Sequence, residues 1–198
     1  MSYLELSEIC EIYSGKSFPR KLNHDDHGDY WVLESHAVDH NGIDREKIIH
    51  VSNDQFRSPR LCLLENDILF RAKGGTNEGI LIKKDDLIGH CVPTSYFLVL
   101  RIKPSVELIS EFLVTYINKA SIQSQLSLLK RGSTVQHITK TALMTFRVNI
   151  PPLNIQEKVI HLINLEIKRK AIIRKIDDIQ SQYIDELTSR YISGETNE

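Results

Sequence analysis

Three stretches of this sequence gather the residue types with which proteins read nucleic acids. Ser14-Gly15-Lys16-Ser17 runs on to Arg20 and Lys21. Arg71-Ala72-Lys73-Gly74-Gly75-Thr76-Asn77 sets two cations before a double glycine and a polar tip. Lys130-Arg131-Gly132-Ser133-Thr134-Val135-Gln136-His137 is basic, then hydroxylic, then amide-bearing. Arg57 and Arg60 around Pro59 form a weaker fourth group. Arg, Lys, Asn and Gln reach base edges, while Lys, Arg, Ser, Thr and backbone amides hold phosphates. Glycine lets a backbone approach a phosphate closely. The candidate contacts are therefore Lys16, Arg20, Lys21, Arg57, Arg71, Lys73, Thr76, Asn77, Lys130, Arg131, Ser133, Thr134, Gln136 and His137. The first two stretches read equally as a solvated loop and a plain hairpin.

Other chemistries find less support. Asn149-Ile150-Pro151-Pro152 differs from the Asn-Pro-Pro-Tyr motif of adenine methyltransferases, because Ile intervenes and no aromatic follows to stack on a flipped base. Neither a glycine-rich nucleotide fingerprint nor a phosphate loop is present. Glu65, Asp67 and Lys73 lie close enough to suggest a metal-dependent nuclease, but the two acids sit where a strand begins. Eight histidines include His24 with His27, His36 with His40, and His90 beside Cys91. None has zinc-finger spacing, so solvated loop histidines are expected and no metal.

These loops need elements to hold them. Runs at Tyr30 to Leu33, Lys47 to Val51, Asp67 to Ala72, Gly79 to Ile82 and Tyr96 to Ile102 read as strands bounded by turn residues such as Asn41-Gly42 and Asn66-Asp67. Leu108, Phe112, Leu113, Tyr116 and Ile117 fall at helical spacing, a second helix covers Ser121 to Leu129, and Phe146 to Ile150 alternates like a last strand. This order predicts an α+β domain over 1–150, a mixed α/β unit. Pro151-Pro152 then opens a second segment, 151–198. Asn154 is placed to cap a helix, with Glu157 three residues on. From Ile155 to about Tyr191 an apolar stripe runs through Ile155, Val159, Leu162, Leu165, Ile172, Ile176, Ile179, Tyr183 and Leu187. Arg169 interrupts it. Such a helix spans roughly 55 Å at 1.5 Å per residue. Its stripe predicts coiled-coil-like pairing with a partner helix, the alternative being a fold-back onto its own domain.

Composition bounds the rest. The 198 residues are 41% hydrophobic and 26% charged, with a net charge of −1 and a pI near 6.7. That argues against a generic DNA coater, which would be strongly basic, though not against a reader with one basic face. Cys10, Cys62 and Cys91 are odd in number and widely spaced, as reduced thiols of a cytoplasmic protein would be. The opening MSYLELSEICEIY has no long apolar core, so no secretory signal is expected. Nor does any stretch approach the roughly 18 apolar residues of a spanning helix.

Three stretches together resemble the specificity subunits of type I restriction-modification systems. LSEICEIYSGKSFPR is similar to the start of their target recognition domain, and LLENDILFRAKG to an internal strand. RGSTVQHITKTALMTFRVNIPPLNIQEKVIHLI resembles the passage that ends that domain and opens the conserved spacer helix, PPLNIQEKV being its most specific portion. A full subunit carries two such units in tandem, whereas this chain has one. The resemblance implies a non-catalytic, DNA-binding half-length subunit: a target recognition domain over 1–150 and a spacer or dimerisation helix over 151–198. It implies double-stranded DNA as ligand and a homodimer through the helix that reads a two-part site. Its partners would be a modification subunit that transfers methyl from S-adenosylmethionine to adenine N6, and a restriction subunit. No cofactor is expected on this chain, and no membrane contact. The alternative is an assembly module that docks a modification subunit through its helix without reading DNA. Charge distribution separates the two.

Overall fold

The computed structural model describes residues 2–18, 22–39, 42–52, 62–74, 76–87, 89–132 and 135–193. In chain order these form β1 (Ser2–Glu5), α1 (Leu6–Ile9), β2 (Cys10–Ser14), β3 (Tyr30–Leu33), β4 (Val38–Asp39), β5 (Gly42–Ile43), β6 (Ile49–Val51), β7 (Ile68–Arg71), β8 (Gly79–Leu81), β9 (His90–Pro93), β10 (Phe97–Ile102), α2 (Ser110–Ile117), α3 (Ala120–Ser127), α4 (Lys140–Met144), β11 (Arg147–Ile150) and α5 (Leu153–Ser193). Their contacts divide into two units, Met1–Gln156 and Glu157–Glu198.

The first unit is a mixed α/β domain of small sheets. The main sheet has the order β2-β10-β7-β8 and is antiparallel throughout. A second sheet, β6-β3-β9, pairs β3 with β9 in parallel. β1 pairs with β11, and β4 with β5. Leu33, Leu69, Ile82, Cys91 and Phe97 fill the core shared by the two larger sheets. Phe112, Leu113 and Ile117 form the buried face of α2. Asn118 then clamps β8: its Oδ1 accepts from the Gly79 N–H and its Nδ2 donates to the Gly79 carbonyl, both at 2.8 Å.

The strand runs expected from the sequence appear, mostly shortened at their ends. The Lys47 to Val51 run loses its start because Asp44 accepts from the Glu46 N–H and caps a 3-10 turn over Arg45–Lys47. Asp67 stays outside β7. Its buried carboxylate accepts from the Leu64 N–H at 2.8 Å and takes a two-point pair from Arg101, at 2.8 and 2.7 Å. That pair holds the Arg101 guanidinium above its usual range and occupies the acid considered for metal binding. β1, α1, β2, β4, β5, β9 and α4 were not expected.

Cys10, Cys62 and Cys91 are free thiols. Burial pushes the Cys10 thiol up to about 12, against the lowering effect of Lys103. It therefore stays protonated and unreactive at neutral pH. No helix among the described residues is long and apolar enough to cross a membrane.

The helix expected from Ile155 begins at Leu153, two residues earlier than an Asn154 cap requires. The Ile155 and Gln156 N–H groups donate instead to the Pro152 carbonyl, at 2.9 and 3.1 Å. Asn154 thus lies inside the first turn. Gln156, which the apolar stripe does not single out, is fully buried. Its Oε1 accepts from the Ile109 N–H at 2.9 Å, and its Nε2 donates to the carbonyls of Glu107 and Pro151 at 3.0 and 2.9 Å. The first unit therefore extends beyond the Pro151-Pro152 break to Gln156.

The second unit is the remainder of α5. The whole helix has 41 residues, roughly 60 Å at 1.5 Å per residue. Beyond Gln156 none of its described residues is buried. Leu162, Ile172, Ile179 and Tyr183 are each more than half exposed, and Ile155, Leu165 and Ile176 nearly so, while Val159 and Leu187 are partly covered. Ile163, Ile167, Ile173 and Ile184 widen the exposed apolar surface. Arg169, at the interruption, makes a two-point pair with Glu166 at 2.8 Å on its own helix.

Candidate nucleic-acid interface

The ends of four strands meet around the short turn Thr94-Ser95-Tyr96. Past the end of β2, the Lys16 N–H donates to the Pro93 carbonyl at 2.8 Å, and the Lys16 carbonyl accepts from the Ser95 N–H at 2.8 Å. The approach requires glycine at position 15, because a Cβ there would clash with the Thr94 and Pro93 carbonyl groups. From the end of β3, the Leu33 carbonyl accepts from the Thr94 N–H at 3.0 Å. From the end of β7, the Ala72 and Lys73 N–H groups donate to the Tyr96 carbonyl at 2.8 and 3.3 Å.

The third stretch joins through the second. The Ile138 N–H donates to the Ala72 carbonyl at 2.9 Å, and the Gly74 N–H to the Gln136 carbonyl at 3.4 Å. His137 forms isolated bridges with both Lys73 and Arg131. Three stretches far apart in sequence therefore converge at one end of the sheets. Lys16, Lys73, Arg131, Gln136 and His137 belong to this cluster, and Thr76 and Lys130 adjoin it in sequence. Thr76, Arg131 and Gln136 are exposed, while Lys16, Lys73, Lys130 and His137 are half-buried. Lys73 Nζ lies 3.2 Å from the Ser95 hydroxyl and 5.4 Å from the centre of the Tyr96 ring. Lys16 Nζ stands 5.8 Å from the Phe18 ring.

Two candidates from the sequence face inward and are corrected here. The Arg71 guanidinium donates to the Ser35 carbonyl and hydroxyl at 3.0 and 2.7 Å and to the Val38 carbonyl at 2.6 Å. It also pairs with Glu78 at 3.3 Å. It braces the turn between β3 and β4 and offers no free face to a ligand. Asn77 is only 2% exposed. Its Nδ2 donates to the Arg71 carbonyl at 2.9 Å, and its own carbonyl accepts from Gln123 at 2.8 Å, so it closes the glycine turn from within. Arg20, Lys21, Arg57, Arg60, Ser133 and Thr134 lie outside the described residues.

The hub itself was missed. Tyr96 reads in sequence as the start of a strand, and Ser95 was not singled out. The turn signal was Pro93 followed by two hydroxylic residues. Tyr96 is nevertheless 46% exposed, as an aromatic meant for contact would be.

Four of the histidines are engaged singly. His24 Nε2 lies 2.9 Å from Asp26, and His36 lies 3.4 Å from Glu34. His50 stacks on Trp31 at 4.7 Å, and His90 lies 5.5 Å from the Tyr30 ring. Among the described residues no group of three or more His, Cys, Asp or Glu side chains converges on a point where a metal would sit.

The type I restriction modification DNA specificity domain model matches residues 1–188. The chain belongs to that family. Comparison with curated proteins finds no match. Solved structures share the fold of this specificity-family chain at low identity. One is the S subunit of a type I restriction-modification system from M. genitalium, with 13% identity over 97% of this chain and 46% of that one, and a TM-score of 0.58. Another is the HsdS subunit from Thermoanaerobacter tengcongensis, with 19% identity, 88% and 39% coverage, and a TM-score of 0.63. A third comes from a study of complex assembly and conformational transition in the type I R-M system, with 17% identity, 94% and 43% coverage, and a TM-score of 0.67. This specificity-family chain thus spans less than half the length of these structural neighbours.

Proposed function

We propose that this chain is the sequence-specific DNA-binding subunit of a type I restriction-modification system and reads one half of a bipartite site. The observation that carries this is the convergence of Lys16, Lys73, Arg131, Gln136 and His137 at one end of the sheets. Phosphate-holding cations and base-reading side chains are there presented together. A chain with a net charge of −1 reaches DNA through such a local basic surface rather than through its overall charge.

The neighbours are more than twice as long as this chain, and in this reading two copies of the unit supply what one of them contains. The exposed stripe of α5, from Ile155 through Leu187, is the surface that pairs them. Two identical copies would read a symmetric site, since two-fold protein symmetry is mirrored in DNA. Methyl transfer to adenine N6, and the S-adenosylmethionine it consumes, fall to a modification subunit positioned by this chain, and DNA cleavage to a restriction subunit. This chain acts without catalysing.

Equilibrium DNA binding at several salt concentrations tests the interface. Lys73→Ala combined with Arg131→Ala is expected to weaken binding to all sequences and to flatten the salt dependence by about two units of slope, one per lost phosphate contact. An unaltered slope removes this surface from the DNA. The assembly-module reading then gains.

A further inference from the structure

Beside the hub turn lies a cleft of about 260 Å³ whose lining includes Lys16, Phe18, Glu34, Ile49, Thr94 and Tyr96. Glu34 was not among the residues singled out by the sequence, and it runs against the basic character of the surface. A carboxylate repels phosphates, so it does nothing for backbone binding. Its side chain is 40% exposed, and His36, itself 58% exposed, lies 3.4 Å from it. Such a contact does not hold a carboxylate in place for structural reasons. The backbone fixes Glu34 firmly instead. Its carbonyl accepts from the Ala37 N–H at 3.0 Å, and the residue before it is tied to Thr94. Thr94 is 7% exposed and its hydroxyl has no hydrogen-bond partner. A buried hydroxyl left unpaired is a cost that folding alone does not explain.

A carboxylate beside a cation is the pairing that reads a C·G step in the major groove. The carboxylate accepts from cytosine N4, and the ammonium donates to guanine O6 or N7. Lys16 and Glu34 line the same cleft, and Tyr96 stands at its rim, half exposed and next to Lys73.

We propose that the cleft between Lys16 and Tyr96 receives the major-groove edge of one C·G base pair, with Glu34 as the residue that selects cytosine. This inference rests on the DNA-reading proposal above and assigns it one specificity-determining residue.

The test maps the methylated motif set by the full chain with its modification subunit, for the wild type, Glu34→Ala and Glu34→Gln. The wild-type motif is expected to hold a C·G pair at one position where both variants relax the preference about 10-fold or more. Every other position is expected to be unchanged. Gln, which pairs with adenine N6 and N7, should favour A·T there. An unchanged motif overturns the inference. So does a drop spread evenly over all positions, or the failure of both variants to fold by thermal melting, since either makes Glu34 structural. A wild-type chain that directs no methylation sinks the DNA-reading proposal itself, a result visible before any variant is compared.

Discussion

Residue type alone misplaces a side chain whose hydrogen bonds close inside the fold. Arg71 and Lys73 sit two apart in one basic loop, and the sequence gives no reason to separate them. The structure does. Arg71 ends β7 with its guanidinium turned onto Ser35, Val38 and Glu78, whereas Lys73 lies past the strand beside Ser95 and Tyr96. Arg71→Ala would leave the Val38 carbonyl and the Glu78 carboxylate without their partner. It is expected to cost about 3 kcal/mol of stability, read as a fall in the denaturant midpoint, while folded protein keeps the wild-type salt dependence of DNA binding. A midpoint equal to wild type with weakened DNA binding would return Arg71 to the interface. Asn77 teaches the same lesson. Its type suits a base edge, but a loop with Gly74 and Gly75 needs an internal donor to close it, and Asn77 is that donor.

At the scale of elements, local pattern was legible wherever the partners did not matter. The long helix, α2, α3 and the apolar cores of β3, β7, β8 and β10 follow from periodicity and turn residues. β1 and β9 were not legible because their pairing is remote. β1 depends on β11 at the far end of the domain, and β9 on a parallel match to β3. Neither strand has an alternation long enough to stand out by itself. Gln156 was hidden for the opposite reason. It is polar at a helix start, so the pattern assigns it to solvent, yet it satisfies three backbone groups that no apolar residue could.

The stripe of α5 was read from spacing, and the structure leaves it uncovered beyond Gln156 among the described residues. Ile176 and Ile179 lie one turn apart in its middle, both about half exposed. Replacing both by Asp removes roughly 3–6 kcal/mol of apolar burial from a paired state. Self-association measured by light scattering or sedimentation is expected to weaken by at least about 100-fold. Unchanged mass at micromolar concentration, with the complex to the modification subunit intact, would count against pairing through this stripe.

At the scale of the whole molecule, the chain divides into two units, Met1–Gln156 and Glu157–Glu198. That division was visible in sequence as a change of character at Pro151-Pro152, and the structure moves it to Gln156. The convergence of the three loops was not visible, since nothing in Lys16, Lys73 or His137 encodes their shared dependence on the Thr94-Ser95-Tyr96 turn. The family model spans 1–188, so both units belong to one functional design. The most direct test is methylation mapping in cells carrying this gene with its neighbouring methyltransferase gene, with and without the chain. The account predicts adenine methylation at one defined, symmetric two-part motif that disappears when the chain is removed. Methylation that is the same in its absence would contradict it and leave the chain as an assembly module.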